Sequence, residues 1–260
     1  MRLQGKVAVV TGSSMGLGEA IAGELGNQGA RLVINSRSRE RAVRMAESLA
    51  EQGVEALAVA GDVSTRAGNQ ALVDAAVERW GRLDIMVNNA GISRNGRSLE
   101  LDEAEWLDHI NVNLNGLFFG CQAAARQMVR QQTGGVIINL GSIYSHVGNR
   151  FRAAYIASKH GVSGLTKALA AEWAPHHIRV LEVCPAYIRT PMIQTDLQTG
   201  AVDAELFFTD GDIQRRTPLG RFGVPDEVSK VVSFLASDEA SFISGTSVNV
   251  DGGWVGYGGW

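Results

Sequence analysis

Tyr155 and Lys159 stand four residues apart in a stretch that reads as helical from Ala153 onward. On one helix face this spacing puts a phenol and an ammonium within reach of each other. A neighbouring cation favours phenolate over phenol, so the pair can pass a proton near working pH. Tyr-x-x-x-Lys also occurs as an ordinary surface pair, and the spacing alone does not separate the two readings. What decides is whether the rest of the chain builds a site around it.

The elements before it do so. Lys6–Val10 is a β-branched apolar run and reads as a buried strand; Gly12, Gly16 and Gly18 follow, and Leu17, Ile21, Ala22 and Leu25 then recur at helical spacing. In a strand, Gly-rich turn, helix sequence, a backbone without side chains can approach a diphosphate, and the helix N-terminus attracts the anion. Further strands read at Arg31–Asn35, Ala56–Ala60, Leu83–Val87, Gly135–Leu140, Ile178–Val183 and Thr246–Val250. Helical patterns alternate with them over Glu40–Gln52, Ala67–Trp80, Asp102–Gln132, Ala153–Ala174 and Pro225–Ser237. Such alternation predicts an α/β fold: one doubly wound sheet of about seven parallel strands with helices on both faces, in a single domain over 1–260. The Asp102–Gln132 helix is interrupted at NVNLNG, because asparagine side chains compete for backbone hydrogen bonds.

The G-x-x-x-G-x-G spacing preceded by Thr11 resembles the cofactor loop of the classical short-chain dehydrogenase/reductase family, which has a Rossmann-type fold. Four later motifs extend the resemblance over essentially the whole chain: Asp62-Val63, Asn88-Asn89-Ala90-Gly91, the Ser142, Tyr155, Lys159 spacing, and Asp251-Gly252-Gly253. By resemblance, Gly12, Ser14, Met15, Gly16, Leu17 and Gly18 hold a dinucleotide diphosphate, Asp62 and Val63 its adenine, and Asn89, Ala90 and Gly91 line the cofactor cleft. Pro185, Ile188 and Thr190 are expected against the nicotinamide carboxamide, although Ala186 stands where the family has glycine. Ser36 occupies the place of the ribose-binding aspartate of NAD enzymes, and Arg37 follows it, so NADP(H) is favoured and NAD(H) remains possible. Asp62 would equally serve as a strand-to-helix cap.

The resemblance also implies the chemistry. Ser142 would stabilise an oxyanion, Tyr155 would act as general acid/base, Lys159 would tune Tyr155 and bind the ribose, and Asn113 would hold a relay water, with Asn111 and Asn115 as nearby competitors. The expected reaction interconverts a secondary alcohol and a ketone on a small polar molecule such as a polyol, sugar or sugar acid. The alternatives are a 3-oxoacyl thioester reductase and a non-catalytic dinucleotide-binding regulator. Arg94, His146, Asn149, Arg150 and Arg152 border the cleft and are the candidates for substrate contact, against the plainer reading of solvent-facing loop groups.

Composition narrows the partners. A net charge of −3 with scattered basic residues gives no nucleic-acid footprint, and no apolar run reaches the length of a membrane span. The N-terminus has no signal-peptide layout, so a cytoplasmic protein is expected. Two cysteines without a CxxC or a Cys/His set at metal spacing predict neither disulfide nor metal. Periodicity fades over 191–216, which reads as a substrate lid. The Gly- and aromatic-rich tail at 254–260, and small residues at Ala157, Gly161, Gly164 and Ala168, suggest a homo-oligomer, a tetramer by family resemblance.

Overall fold

In a computed structural model, residues 1–190 and 210–257 are described. The strands are β1 (Val7–Val10), β2 (Arg31–Ser36), β3 (Ala56–Ala60), β4 (Ile85–Asn88), β5 (Gly135–Leu140), β6 (Ile178–Pro185) and β7 (Ser247–Val250). They form one sheet in the order β3-β2-β1-β4-β5-β6-β7, with every pairing parallel. Chain order reverses between β1 and β4, and a ligand crevice belongs at the carboxyl ends of those strands. Because β1, β4 and most of β2, β5 and β6 are covered on both faces, they are continuous apolar runs rather than alternating ones.

The helices are α1 (Gly16–Asn27), α2 (Arg39–Glu51), α3 (Arg66–Trp80), α4 (Glu103–Ile110), α5 (Leu117–Gln131), α6 (Ala153–Trp173), α7 (Asp210–Arg216) and α8 (Pro225–Ala236). One face of the sheet joins Ile21 and Leu25 of α1, Leu49 of α2 and Val228 and Val232 of α8 in a core that also takes in Leu3 and Ala240. The other face joins Leu72 and Val73 of α3, Cys121 and Met128 of α5 and Val162 and Leu169 of α6. A third, smaller cluster at the carboxyl edge contains Tyr144, Tyr187, Ile213, Phe222 and Trp254.

The interruption expected at NVNLNG is a π-helical segment, Asn111–Gly116, between α4 and α5. Its tight packing explains the glycine that closes it: a Cβ on Gly116 would fall inside contact distance of the Val63 carbonyl. At the end of the stretch where periodicity fades, read as a lid, Asp210–Arg216 is a helix, with Ile213 2% exposed in the carboxyl-edge cluster. Residues 191–209, the remainder of that stretch, and 258–260 of the tail lie outside the described residues. Trp254 is buried in its own chain, its ring 5.1 Å from that of Tyr187. No described helix is long and apolar enough to cross a membrane.

Candidate active site

A cleft of about 510 Å³ opens along the carboxyl ends of the strands. At one end lies the turn after β1. Gly12 and Gly16 there adopt φ of 61° and 60°, a region costly for any residue with a Cβ. Asn35 of β2 accepts the Gly12 N–H at 3.1 Å, and Asn89 donates from Nδ2 to the carbonyls of Thr11 (2.9 Å) and Gly12 (3.2 Å). Thr11 Oγ1 in return accepts the backbone N–H groups of Asn89 (2.9 Å) and Ala90 (3.0 Å). The asparagine motif therefore acts first on the glycine loop, holding it against the end of β4.

Met15 precedes α1 without a side-chain cap, so the first-turn N–H groups have no side-chain partner there, and Gly16, Leu17 and Gly18 line the cleft. A Cβ on Gly18 would collide with the Gly12 carbonyl and the Asn89 amide, so the turn closes only around a glycine. This cradle fits a dinucleotide diphosphate. Ser36, Arg37, Ser38 and Arg41 line the cleft beyond it, at the end of β2. Asp62 and Val63 line it from the end of β3. The cap role weighed for Asp62 belongs to Thr65, which accepts the Gly68 N–H at 3.0 Å at the start of α3. Asp62 instead accepts the Ser64 N–H at 2.9 Å, which holds its carboxyl below the usual range.

Ser142, Tyr155 and Lys159 meet at the other end of the cleft, which also takes in Ser14, Met15, Gly91, Pro185, Ile188 and Thr190 along its walls. Ser142 and Lys159 are 7% and 5% exposed, so their polar atoms open on little except this space. Lys159 Nζ donates to the Leu140 carbonyl at 2.6 Å and lies 5.6 Å from the centre of the Tyr155 ring. The loop between β5 and α6 folds back through a short 3-10 turn, Ile143–Ser145, and so brings strand end and helix together.

Asn113 alone of the three asparagines turns inward. Asn111 and Asn115 bond to each other on the outside, at 2.9 Å. The Asn113 side chain accepts the Ile92 N–H (2.8 Å) and donates to the Ile92 carbonyl (2.9 Å) and to Ser158 Oγ (3.2 Å). Both amide protons are thus committed to the cleft-edge loop and to the residue beside Lys159. The side chain therefore has no amide proton left to offer a relay water.

Among the five candidates for substrate contact, Arg152 lines the cleft and the others do not. Arg94 pairs with Asp108 on α4 at 3.0 Å. Arg150 is exposed over the Phe151 ring, and His146 is exposed behind the Ser142 turn. Asn149 supports the cleft wall indirectly, donating to Tyr144 Oη at 2.7 Å. The residues that do line this end, and that spacing alone did not reveal, are Ser93, Tyr144 and Tyr187. The two tyrosine hydroxyls hydrogen-bond at 2.7 Å, and burial pushes the Tyr187 pKa up, keeping it a phenol. Arg152 donates to Ser93 Oγ at 2.8 Å and covers the Tyr144 ring. Their sequence signal was position: each follows a motif residue at a strand's carboxyl end.

The fold also gathers His146, Glu182 and Cys184, with ligand-type atoms within 4.8 Å of one another, which no sequence spacing announced. Both Glu182 oxygens accept serine hydroxyls, and burial with the Glu182 charge pushes the Cys184 thiol up to about 12. Glu182 and Cys184 are buried, and both carboxyl oxygens are already engaged by serines, while His146 stands exposed at the edge of the group.

A family model described as enoyl-(acyl carrier protein) reductase matches residues 12–255. The chain is 39% identical over 249 residues to the 3-oxoacyl-(acyl-carrier-protein) reductase FabG of Staphylococcus aureus, covering 95% of this chain and 97% of that one. It is 38% identical over 257 residues to the 2-dehydro-3-deoxy-D-gluconate 5-dehydrogenase of Escherichia coli, covering 97% and 96%. A crystal structure of a gluconate 5-dehydrogenase from Burkholderia cenocepacia, in complex with NADP and tartrate, superposes with a TM-score of 0.90 at 35% identity, over 98% of this chain and 97% of that one. With the glycine cradle, the asparagine clamp and the Ser142, Tyr155, Lys159 cluster in their places, the chain belongs to the short-chain dehydrogenase/reductase family.

Proposed function

We propose that this protein is an NADP(H)-preferring oxidoreductase that interconverts a secondary alcohol and a ketone on a small sugar acid or a related polar molecule. The observation that carries the reading is the meeting of Ser142, Tyr155 and Lys159 in the cleft whose far end is the glycine cradle. When bound, a nicotinamide dinucleotide supplies or accepts the hydride. Ser142 donates a hydrogen bond to the carbonyl oxygen as negative charge grows there, and Tyr155 delivers the proton. The Lys159 ammonium, tethered to the Leu140 carbonyl, keeps a positive charge beside the Tyr155 ring. Alcohol oxidation follows the same path in reverse, with Tyr155 taking the proton.

The preference for NADP(H) is supported by Arg37 and Arg41 at the cleft end where the family's NAD enzymes carry an aspartate. The sugar-acid class is supported by Arg152, which forms no ion pair among the described residues and shares its end of the cleft with Ser93, Tyr144 and Tyr187. A guanidinium among hydroxyls suits a carboxylate with neighbouring alcohols. The second reading, a 3-oxoacyl thioester reductase, uses the same reacting groups and is favoured by the Staphylococcus aureus relative. A cytoplasmic homotetramer is part of the proposal, supported by Gly164 and Ala168, small residues exposed on α6.

Turnover of NADPH against keto sugar acids and 3-oxoacyl thioesters, and of NADP+ against hydroxy acids and polyols, tests the reading. Tyr155→Phe should lower kcat by about a hundredfold or more while leaving cofactor affinity in place. A fully active variant refutes the assignment, and no turnover on any panel member favours a non-catalytic regulator.

A further inference from the structure

Glu182 is a carboxyl in the middle of β6 with no exposed surface, and the reaction described above gives it no part. Burying such a group is costly unless its oxygens are satisfied, so the identity of its partners is informative. Its two oxygens each accept a serine hydroxyl, with the Cys184 thiol lying against the carboxyl. Ser145 Oγ donates to Glu182 Oε1 at 2.7 Å, and Ser247 Oγ of β7 donates to Oε2. Ser145 is the last residue of the 3-10 turn that Ser142 begins, and it grips Ser142 twice: its Oγ accepts the Ser142 N–H at 3.2 Å, and its own N–H donates to the Ser142 carbonyl at 2.8 Å.

The hydroxyl geometry makes these bonds interdependent. A serine hydroxyl has one proton. Glu182 takes that proton, which turns the remaining lone pairs of Ser145 Oγ toward the Ser142 N–H. The carboxyl reaches this place beneath the strand end because residue 141 has no Cβ; one there would overlap Glu182 Oε1. Cys184, packed beside the carboxyl, has its thiol pushed up to about 12 and adds no competing charge.

We infer that Glu182, acting through Ser145, is a positioning residue that fixes the direction in which the Ser142 hydroxyl enters the cleft. The inference rests on the functional reading above, in which Ser142 stabilises the oxyanion. Glu182 touches neither substrate nor cofactor in this scheme; it removes the freedom of the 142–145 turn, so that the hydrogen bond from Ser142 is aimed before the carbonyl arrives.

A double-mutant cycle tests it, with kcat, KM and NADPH affinity measured by fluorescence. Ser142→Ala should lower kcat about a hundredfold. Ser145→Ala should lower it about tenfold, with NADPH affinity within about twofold of wild type. The Ser142→Ala/Ser145→Ala double variant should be no slower than Ser142→Ala alone, within about twofold, because the grip has nothing left to aim. Glu182→Ala gives a second cycle against Ser142→Ala with Ser145 intact, and the same loss without multiplication is expected. Glu182→Gln should stay within about threefold of wild type. Its carbonyl can still accept from Ser145, while Ser247, 3.4 Å from Ser163 Oγ, can redirect its proton there.

Losses that multiply in both cycles would overturn the inference while leaving the functional reading standing, as would Ser145→Ala and Glu182→Ala variants that turn over like wild type. A Ser142→Ala variant of full activity would overturn the functional reading and this inference with it.

Discussion

At the scale of single residues, charge and reach determine what the cleft can take. Arg37 and Arg41 project into the end after β2, where a carboxylate would repel a phosphate. Charge-assisted hydrogen bonds of this kind contribute ~1.5–3 kcal/mol, so Arg37→Ala should weaken NADPH about tenfold to a hundredfold and leave NADH almost unchanged. Fluorescence titration with the two cofactors measures it, and an unchanged ratio would exclude Arg37 as the reader of the 2′-phosphate. At the other end, Arg152→Ala should raise KM for a keto sugar acid at least about tenfold, with a much smaller effect on an uncharged ketone of the same size. Equal losses on both would remove the carboxylate contact. That Ser142, Tyr155 and Lys159 line one cleft was legible because their spacing survives in one dimension. Tyr144 and Tyr187 were not, since residues 43 positions apart in sequence meet through a phenol–phenol hydrogen bond that only the third dimension creates. Arg94 takes the plainer of its two readings, a solvent-facing loop charge, paired here with Asp108 on a later helix.

At the scale of elements, the glycine turn and the π-helical segment are places where a regular element is bent to serve the cleft. Gly18→Ala puts a methyl group against the Gly12 carbonyl and the Asn89 amide, so the turn must open. Its expected effect is a loss of NADPH affinity of about tenfold or more, with kcat at saturating cofactor reduced far less. The Asn113 side chain explains why the π segment persists despite its poor helix propensity. Two of its bonds clamp the Ile92 backbone, and a third reaches Ser158 next to Lys159. Asn113→Ala should therefore cost about 1–3 kcal/mol of stability, read by denaturant unfolding, besides any effect on turnover. The break itself was legible, because three asparagines in six residues are bad helix formers. Helix α7 was not: its seven residues carry one buried apolar side chain, Ile213, and tertiary packing rather than periodicity fixes it.

At the scale of the whole molecule, a doubly wound parallel sheet of about seven strands was readable from the alternation of apolar runs and helical patterns, whereas the order of its strands came only with the structure. Its surface carries a further expectation. Gly161 is spent within the subunit, where a Cβ would press on Leu114, whereas Gly164 faces open space and Ala168 is exposed. Gly164→Arg combined with Ala168→Glu should lower the mass seen by light scattering if α6 packs on a second copy, and an unchanged mass would exclude that face. The core on the α1 and α8 side has a consequence in time. It joins Leu3 and Ile21 to Val232 and Ala240, so the first helix has no complete partner until the final one is made. During synthesis the ribosome must release the chain past Ala240 before that half of the interior can close. A nascent chain stopped at residue 224 would hold Ile21 and Leu25 without their cover, and chaperones would be the first molecules to find them.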